Sequence, residues 1–410
     1  MTSGVPLEAD AREMGFDPER LAKIAPFFNR YVDEQRLPGY FLSVSRRGKV
    51  VYTAQYGHAD KEAGRPVSDD AIWRIYSMTK AITSVAVMML AEEGAFDLFA
   101  DAGKWIPSLR EPRVYVGGSA AAPQTVPAIR PVQIHHLLSH TAGLTYGFNY
   151  LHPVDEIYRQ KGYAWGAPKD RDLAGAVEDW CTSPLLFQPG DAWNYSVSVD
   201  VLGRLVELWS GQTLDEFFRQ RILDPLGMND TDWSCPPEKI DRLAQLYIPV
   251  NGVATASVKG GAGAARWPRL LGGGGGLVST AGDYNRFMAM LLNGGRANGH
   301  QFLAPGTIEL MTQNHLPNDT DLESFATDGF SEDSAAGVGF GLGFSVITDR
   351  RKSKTLATNG TFAWGGAAMT GFWVDPTEEI TAGFFTQLLP SSTYPVRRQF
   401  QQLVYAALVD

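Results

Sequence analysis

Residues 75–94, with the sequence IYSMTKAITSVAVMMLAEEG, are the stretch around which the rest of the chain can be arranged. After Lys80 the predicted helix is apolar nearly all round, which is typical of a helix in the middle of a domain. Ser77 and Lys80 stand three positions apart in its first turn, so their side chains share one face. Burying an unpaired lysine charge is costly, which favours a neutral amine. A neutral amine beside a hydroxyl is a general base beside a nucleophile.

The Ser-x-x-Lys motif is short, and a structural interpretation stays open beside the catalytic one. Ser77 could cap the helix while Lys80 extends its amine to the surface. The position at the start of a helix favours catalysis, because free N–H groups there can hold an oxyanion. The positive end of the helix dipole also disfavours a lysine cation at that place.

The segments on either side of this helix predict two kinds of structure. Residues 17–39 predict a helix that ends at a Pro-Gly pair, followed by an antiparallel hairpin about Arg47-Gly48. Residues 98–268 predict short helices separated by loops rich in Pro, Gly and aromatic residues. Strand patterns return between 338 and 386, including TLATNGTF at 355–362, and an amphipathic helix closes the chain.

These patterns predict an α/β domain with a second, inserted domain. The α/β domain is formed by residues 1–97 and 269–410 around a mostly antiparallel sheet, and residues 98–268 form an all-helical domain. At 410 residues the chain is long enough for two such units. A cleft between them is the expected place for an active site.

Composition argues against several classes of protein. The net charge of -9, without long runs of one sign, argues against a nucleic-acid-binding surface. The amino terminus lacks the apolar core of a secretory signal, and no later stretch has the pattern of a membrane span. We therefore predict a soluble, cytoplasmic protein without membrane partners. Cys181 and Cys235 have no metal-binding spacing and are interpreted as structural thiols.

Other clusters are interpreted as structural rather than catalytic. His135, His136 and His140 lie close in sequence but lack a neighbouring acidic ligand, which disfavours a metal site. The glycines at 272–276 lack the Gly-Lys-Ser/Thr ending of a phosphate loop and predict a hinge or a close approach of the backbone. No Gly-x-Ser-x-Gly motif occurs, which disfavours an α/β-hydrolase. No cofactor is expected.

Two further motifs could contribute to a site with Ser77. Tyr195, in WNYSVSVDVLG, precedes a turn that leads into a helix, where its phenol could shuttle protons; a packed aromatic is the alternative. Trp364, Gly365 and Gly366 open a predicted strand. Paired glycines let a ligand approach the backbone, so the N–H of Ala367 could be an oxyanion donor; a bulge or tight turn is the alternative.

In this chain order the three motifs resemble the serine hydrolases of the β-lactamase and penicillin-binding-protein type. Within that group the chain is most similar to the family VIII carboxylesterases, which are related to class C β-lactamases. The segments LLSHTAGL, YSVSVDVLGRLVE, GVGFGLGFSV and WGGAAMTGFWVDP extend the likeness over nearly the whole chain. The resemblance implies a β-lactamase-like fold and an acyl-enzyme on Ser77. It also implies that Lys80 and Tyr195 transfer protons, and that the backbone N–H groups of Ser77 and Ala367 hold the oxyanion.

The chain departs from the β-lactamase pattern at two of these motifs. It has Tyr-Ser-Val at 195–197 where β-lactamases have Tyr-x-Asn, and Trp-Gly-Gly at 364–366 where they have Lys-Thr-Gly. The amide and the cation that would hold an acidic drug are therefore missing, which favours small to medium neutral esters. The predicted substrate pocket is formed by Val197, Trp364, Gly365 and Gly366.

Three functions stay open on this basis. The first is a carboxylesterase whose partner is a small-molecule ester. The second is a β-lactamase, D-aminopeptidase or acyltransferase of the same fold. The third is a binding module that keeps the fold without turnover.

Overall fold

The computed structural model describes residues 4–257, 263–327 and 335–410. Its largest sheet has eight strands in the order β12-β13-β14-β15-β16-β1-β2-β3, and neighbouring strands run antiparallel. The strands are β1 (Gly39–Arg46), β2 (Lys49–Asp60), β3 (Arg65–Pro66), β4 (Ile72–Arg74), β5 (Arg113–Ser119), β6 (Ala122–Pro127), β7 (Tyr247–Val250), β8 (Val253–Ala256), β9 (Val278–Thr280), β10 (Arg296–Ala297), β11 (His300–Gln301), β12 (Val338–Phe340), β13 (Ser345–Ile347), β14 (Phe362–Gly365), β15 (Gly371–Asp375) and β16 (Ile380–Phe385).

Helices cover both faces of this sheet and fill the middle of the chain. The α-helices are α1 (Pro18–Leu21), α2 (Ile24–Asp33), α3 (Thr79–Glu92), α4 (Ile134–Leu138), α5 (Pro153–Gln160), α6 (Leu173–Cys181), α7 (Ser198–Ser210), α8 (Leu214–Phe218), α9 (Asp224–Leu226), α10 (Ala281–Leu292), α11 (Pro305–Met311), α12 (Leu322–Phe325), α13 (Arg350–Ser353) and α14 (Val396–Ala406). A π-helical turn spans Arg219–Leu223, and short 3₁₀ turns include Tyr76–Met78. None of the helices in the described ranges is long and apolar enough to span a bilayer.

The predicted hairpin about Arg47-Gly48 is confirmed, since β1 and β2 pair antiparallel on either side of it. Arg47 has a φ of 52° and Gly48 a φ of 73°, the left-handed values that a two-residue type I′ turn requires. The predicted amino-terminal helix corresponds to α1 and α2. Because β1 also pairs with β16, the first strand of the chain lies beside the last.

Successive residues of β16 show how the sheet divides two apolar layers. Phe384 packs against Phe28 of α2 and Phe400 of α14, with ring centroids 5.3 and 5.9 Å away. Phe385 points to the opposite face, where it meets Trp73 at 6.4 Å and joins the cluster that contains α3 and α10. This alternation follows from the two-residue period of a strand whose both faces are buried. The sheet therefore separates the layer of α2 and α14 from the layer of α3.

The middle of the chain contains the predicted helices and also two hairpins that the pattern did not indicate. The helices α4–α9 lie within residues 98–268, but so do the hairpins β5–β6 and β7–β8. Pro123 and Pro127 in β6 give this stretch the sequence of a loop, because proline cannot donate to a ladder. They are tolerated here because β6 pairs on one side alone, within a two-stranded ribbon. The division at residues 98 and 269 stays a prediction.

The predicted strand TLATNGTF is wrong over most of its length, because β14 begins only at Phe362. The buried carboxylate of Asp375 instead anchors this segment, accepting hydrogen bonds from the backbone N and from Oγ1 of Thr358 at 3.3 and 2.7 Å. Tyr405 of α14 donates to the same carboxylate at 2.6 Å. These hydrogen bonds lower the pKa of Asp375 although burial opposes the shift. A side-chain anchor thus replaces the backbone ladder that the pattern suggests.

Candidate active site

Ser77 lies at the centre of the candidate site, in the 3₁₀ turn directly before α3 rather than in the first turn of the α-helix. It is partly exposed, whereas residues 78–90 that follow it are all buried. The preceding Tyr76 has a φ of 44°, a left-handed value that is uncommon outside glycine. The turn packs against β14, and α3 packs against α7. A partly exposed serine therefore stands where α3, α7 and β14 meet.

Lys80 is buried, with 1% of its surface exposed, and its amine is fully engaged inside the protein. Nζ donates to Ser77 Oγ at 3.3 Å, to Tyr146 Oη at 3.0 Å and to the carbonyl oxygen of Gly274 at 2.5 Å. Three oxygen atoms from separate parts of the site therefore surround this one amine. The alternative in which Lys80 extends to the surface while Ser77 caps the helix is wrong, since α3 begins after Met78 without a side-chain cap.

The glycines at 272–276 form a close approach of the backbone, which was one of the two predictions for them. The carbonyl of Gly274 accepts from Lys80, and its N–H donates to Asp200 Oδ1 at 2.8 Å. A Cβ on Gly274 would lie 2.3 Å from Asp200 Oδ2, so no larger residue fits without a shift. Burial raises the pKa of Asp200, while Lys80 and the Gly274 N–H oppose that shift. The backbone of Gly274 thus links a buried acid to the amine beside Ser77.

Tyr146 is a site residue that the sequence analysis missed. Its hydroxyl accepts the hydrogen bond from Lys80, and burial together with Tyr195 and Asp200 raises its pKa well above the ordinary value. It lies between α4 and α5, two residues after the segment LLSHTAGL. The signal that could have found it is an aromatic residue in the loop that follows a family-like segment.

Tyr195 lies where predicted, in the loop just before α7, and its ring borders the amine of Lys80. Lys80 Nζ lies over this ring, 4.6 Å from its centroid. The centroid of the Tyr195 ring is 5.3 Å from that of the Tyr146 ring and 5.4 Å from that of the Trp364 ring. The structure therefore brings Ser77, Lys80, Tyr195 and Trp364 together, although they come from three separate segments of the chain.

The predicted pocket residues do not all face the same space. Trp364 lies on the side of β14 that faces Tyr195 and also contacts Phe340, with ring centroids 5.3 Å apart. Gly365 faces the other side of the strand, where a Cβ would meet the guanidinium of Arg397. Gly366 packs against the turn before Ser77, because its Cβ would lie 2.3 Å from the carbonyl oxygen of Ile75.

Val197, also predicted as a pocket residue, is buried in the main apolar cluster. Its N–H donates to the carbonyl of Thr145 at 3.3 Å, which ties the start of α7 to the loop that carries Tyr146. This position makes Val197 a support for the two tyrosines. Its role as a wall of the substrate pocket stays a prediction.

The three histidines have structural partners, and His135 and His136 share one of them, Gln133. His135 Nε2 lies 2.8 Å from Gln133 Oε1, and His136 Nδ1 accepts from the N–H of Gln133 at 3.1 Å. Burial lowers the pKa of His135 to about 4 and that of His136 to about 3. His140 packs its ring 4.9 Å from that of Tyr195. Within residues 4–257, 263–327 and 335–410, no group of three or more His, Cys, Asp or Glu side chains could hold a metal ion.

The fold and this site define a serine hydrolase of the β-lactamase type. The sequence profile of the family described as Beta-lactamase matches residues 24–406, so the chain belongs to the beta-lactamase family.

Similar proteins agree with this assignment over nearly the whole chain. Protein Rv1367c of Mycobacterium tuberculosis (strain ATCC 25618 / H37Rv) is 34% identical over 361 residues, 87% of this chain and 88% of the relative. Esterase EstB of Burkholderia gladioli is 30% identical over 405 residues, 94% of this chain and 95% of the relative. The solved structure of EstCE1, described as a hydrolase with promiscuous acyltransferase activity, has a TM-score of 0.80 at 25% identity, over 96% and 99% of the two chains. The predicted resemblance to the family VIII carboxylesterases is confirmed.

Proposed function

We propose that the protein is a carboxylesterase that hydrolyses small to medium neutral esters through an acyl-enzyme on Ser77. The observation that carries the proposal is the contact between a partly exposed hydroxyl and a buried amine, Ser77 Oγ and Lys80 Nζ, 3.3 Å apart. A nucleophile within hydrogen-bond reach of its base is the arrangement that covalent catalysis requires. The esterase relatives support the same reaction.

In the proposed reaction Ser77 Oγ attacks the ester carbonyl and passes its proton to Lys80 in its neutral form. The backbone N–H groups of Ser77 and Ala367 hold the negative charge that develops on the carbonyl oxygen. Tyr195 then delivers a proton to the leaving alkoxide, and Lys80 restores the proton to Tyr195. A water molecule attacks the acyl-enzyme, and the same groups move the protons in the reverse direction to release the acid and regenerate Ser77.

The residues that line the site favour ester substrates without a negative charge. Trp364 stands where the β-lactamase pattern has a lysine, and its ring contacts Tyr195 and Phe340. An aromatic ring favours apolar acyl or alcohol groups but offers no cation to a carboxylate. Esters are also the easier substrates, because an alkoxide needs less help from a proton donor than an amine does.

The first test compares a neutral ester with an acidic lactam. Purified protein is mixed with p-nitrophenyl butyrate or with a chromogenic cephalosporin, and both the initial burst and the steady rate are followed. We expect sustained ester turnover with kcat/KM at least about 100-fold above that for the cephalosporin, because the lactam loses its polar anchors. Preference for the cephalosporin would favour a β-lactamase. A burst equal to the enzyme without further turnover would favour the binding module, and esters of an added alcohol would reveal acyl transfer.

The roles of the two tyrosines beside Lys80 can be distinguished by varying the leaving group of the ester. We expect Tyr195→Phe to lower kcat for an ethyl ester by about 10²-fold or more, and to lower it far less for a p-nitrophenyl ester, whose leaving group needs no proton. Tyr146→Phe removes a hydroxyl that accepts from Lys80, so both esters should lose rate to the same extent. The measurement is kcat for the two esters with each variant. A loss that depends on the leaving group in Tyr146→Phe alone would transfer the shuttle role to Tyr146.

A further inference from the structure

Two facing glycines form a trough on the side of the sheet that is opposite to the candidate site. Gly365 of β14 pairs directly with Gly371 of β15. The side chain of Arg397 from α14 lies across both glycines. A Cβ at Gly365 would lie 2.4 Å from Arg397 Cζ, and one at Gly371 would lie 2.9 Å from Arg397 Nε. The side chain of Arg397 therefore occupies space that only glycines at these two positions leave open.

Through this trough Arg397 reaches the turn that joins β14 to β15. Its Nη2 donates to the carbonyl oxygens of Gly366 and Thr370, at 2.5 and 2.6 Å. The same two carbonyls also accept inside the turn, from the N–H of Met369 at 3.1 Å and of Gly366 at 2.8 Å. Hydrogen bonds from a charged donor are the stronger ones, so Arg397 fixes both ends of the turn.

The residue that this turn carries is Ala367, the proposed second oxyanion donor. Gly366 and residues 368–370 are buried, whereas Ala367 is partly exposed. Met369 has a φ of 64°, a conformation that needs support from its surroundings. On the other side, Gly366 rests on the carbonyl of Ile75, two residues before Ser77. The turn is thus held between Arg397 behind it and the Ser77 segment in front.

We propose that Arg397 is a positioning residue that aims the backbone N–H of Ala367 at the oxyanion; this inference rests on the esterase function proposed above. Arg397 lies on the face of the sheet away from Trp364, because alternate residues of β14 point to opposite sides, and from that face it contacts the turn. An oxyanion donor contributes to the transition state more than to substrate binding. Loss of Arg397 should therefore lower kcat and leave KM nearly unchanged.

The test replaces Arg397 with methionine and uses Arg398→Met as the matched control. Arg398 is the next residue of α14, and its Nη2 donates to the carbonyls of Ser353 and Lys354 rather than to the turn. We expect Arg397→Met to lower kcat for p-nitrophenyl butyrate by about 10- to 100-fold, since removing an oxyanion donor outright costs about 10²- to 10³-fold. KM should stay within about twofold, and Arg398→Met should match the wild type.

A second measurement distinguishes a misplaced Ala367 N–H from a general loss of folded protein. Sulfur is a weak hydrogen-bond acceptor, so the rate ratio between an ester and its thiono analogue reports the strength of the oxyanion donors. We expect Arg397→Met to reduce this ratio by about tenfold, whereas a merely structural loss of active protein would leave the ratio unchanged. Equal ratios in wild type and Arg397→Met would overturn the proposal.

A variant that keeps the arginine covers the case in which Arg397→Met fails to fold. Gly371→Ala places a methyl group 2.9 to 3.2 Å from the Nε, Cδ and Cγ atoms of Arg397, so the flexible side chain must move away from the turn. It should reduce kcat and the thiono ratio in the same direction. If the wild type itself showed no Ser77-dependent ester hydrolysis, the proposed esterase function would fail. The proposal for Arg397 fails separately, when the wild type is active and the Arg397→Met and Gly371→Ala variants leave kcat and the thiono ratio unchanged.

Discussion

Replacing Ser77 with alanine is expected to lower kcat for p-nitrophenyl butyrate by about four orders of magnitude or more, because loss of a nucleophile removes the acyl-enzyme route. The fold should persist, since Ser77 is partly exposed and does not cap α3. The measurement is the burst and steady rate of ester hydrolysis together with the thermal unfolding midpoint. We expect both phases of hydrolysis to disappear at an unchanged midpoint.

Ser84→Ala is the matched control for this variant. Ser84 lies on α3, the helix that follows Ser77, and is fully buried, and its hydroxyl has no hydrogen-bond partner among the described residues. Its removal should leave the rate of ester hydrolysis at the wild-type level. Full activity in Ser77→Ala would return the Ser-x-x-Lys motif to a structural role and remove the basis of the proposed esterase.

The part of the site that could be predicted is the part that is local in sequence. Ser77 and Lys80 are three residues apart, so the geometry of one helical turn is enough to place them together. Tyr195 and Trp364 required a second argument, the order of motifs in a known family. In the structure the ring of Tyr195 borders Lys80 and the ring of Trp364 contacts Tyr195, while the chemical roles of both residues stay predictions.

The acceptors that hold Lys80 could not be predicted from local patterns. Tyr146 lies 66 residues from Lys80 in the chain, and Gly274 lies 194 residues away. The acceptor on Gly274 is a backbone carbonyl, which every residue type possesses, so no residue type marks it. The run of glycines indicated a close approach of the backbone but not its partner. Similarly, nothing in the sequence of α14 indicates that Arg397 lies across two glycines of the sheet and contacts the turn between β14 and β15.

The fold was predicted best where the burial pattern alone decides the structure. The strands β1, β15 and β16 are buried along their whole length, and β2 is joined to β1 by a two-residue turn. Besides the hairpin β7–β8, the failures are TLATNGTF and the proline-containing β6. In the first, the side chain of Asp375 replaces ladder bonds, and in the second an unpaired edge tolerates proline. Both depend on tertiary partners rather than on local preference.

Replacing Lys80 with methionine should reduce kcat about as far as Ser77→Ala does, and the double variant should be no slower than either single variant. The reason is that a nucleophile and its base act as one unit, so removing the second member costs little once the first is lost. Methionine keeps most of the side-chain volume in this buried position. The measurement is kcat for p-nitrophenyl butyrate across the four proteins of the double-variant cycle. Losses that simply multiply would show that Lys80 acts independently of Ser77.

Lys80→Arg separates a base from a fixed positive charge. Arginine keeps the charge and the hydrogen-bond donors but cannot give up its proton in a protein. If Lys80 accepts the proton of Ser77, the arginine variant should be as inactive as the methionine variant. Because Lys80 Nζ contacts Ser77 Oγ, Tyr146 Oη and the Gly274 carbonyl at once, a purely electrostatic role would instead leave Lys80→Arg clearly faster than Lys80→Met. That outcome would transfer the role of base to another group, with the tyrosines beside Lys80 as the first to test.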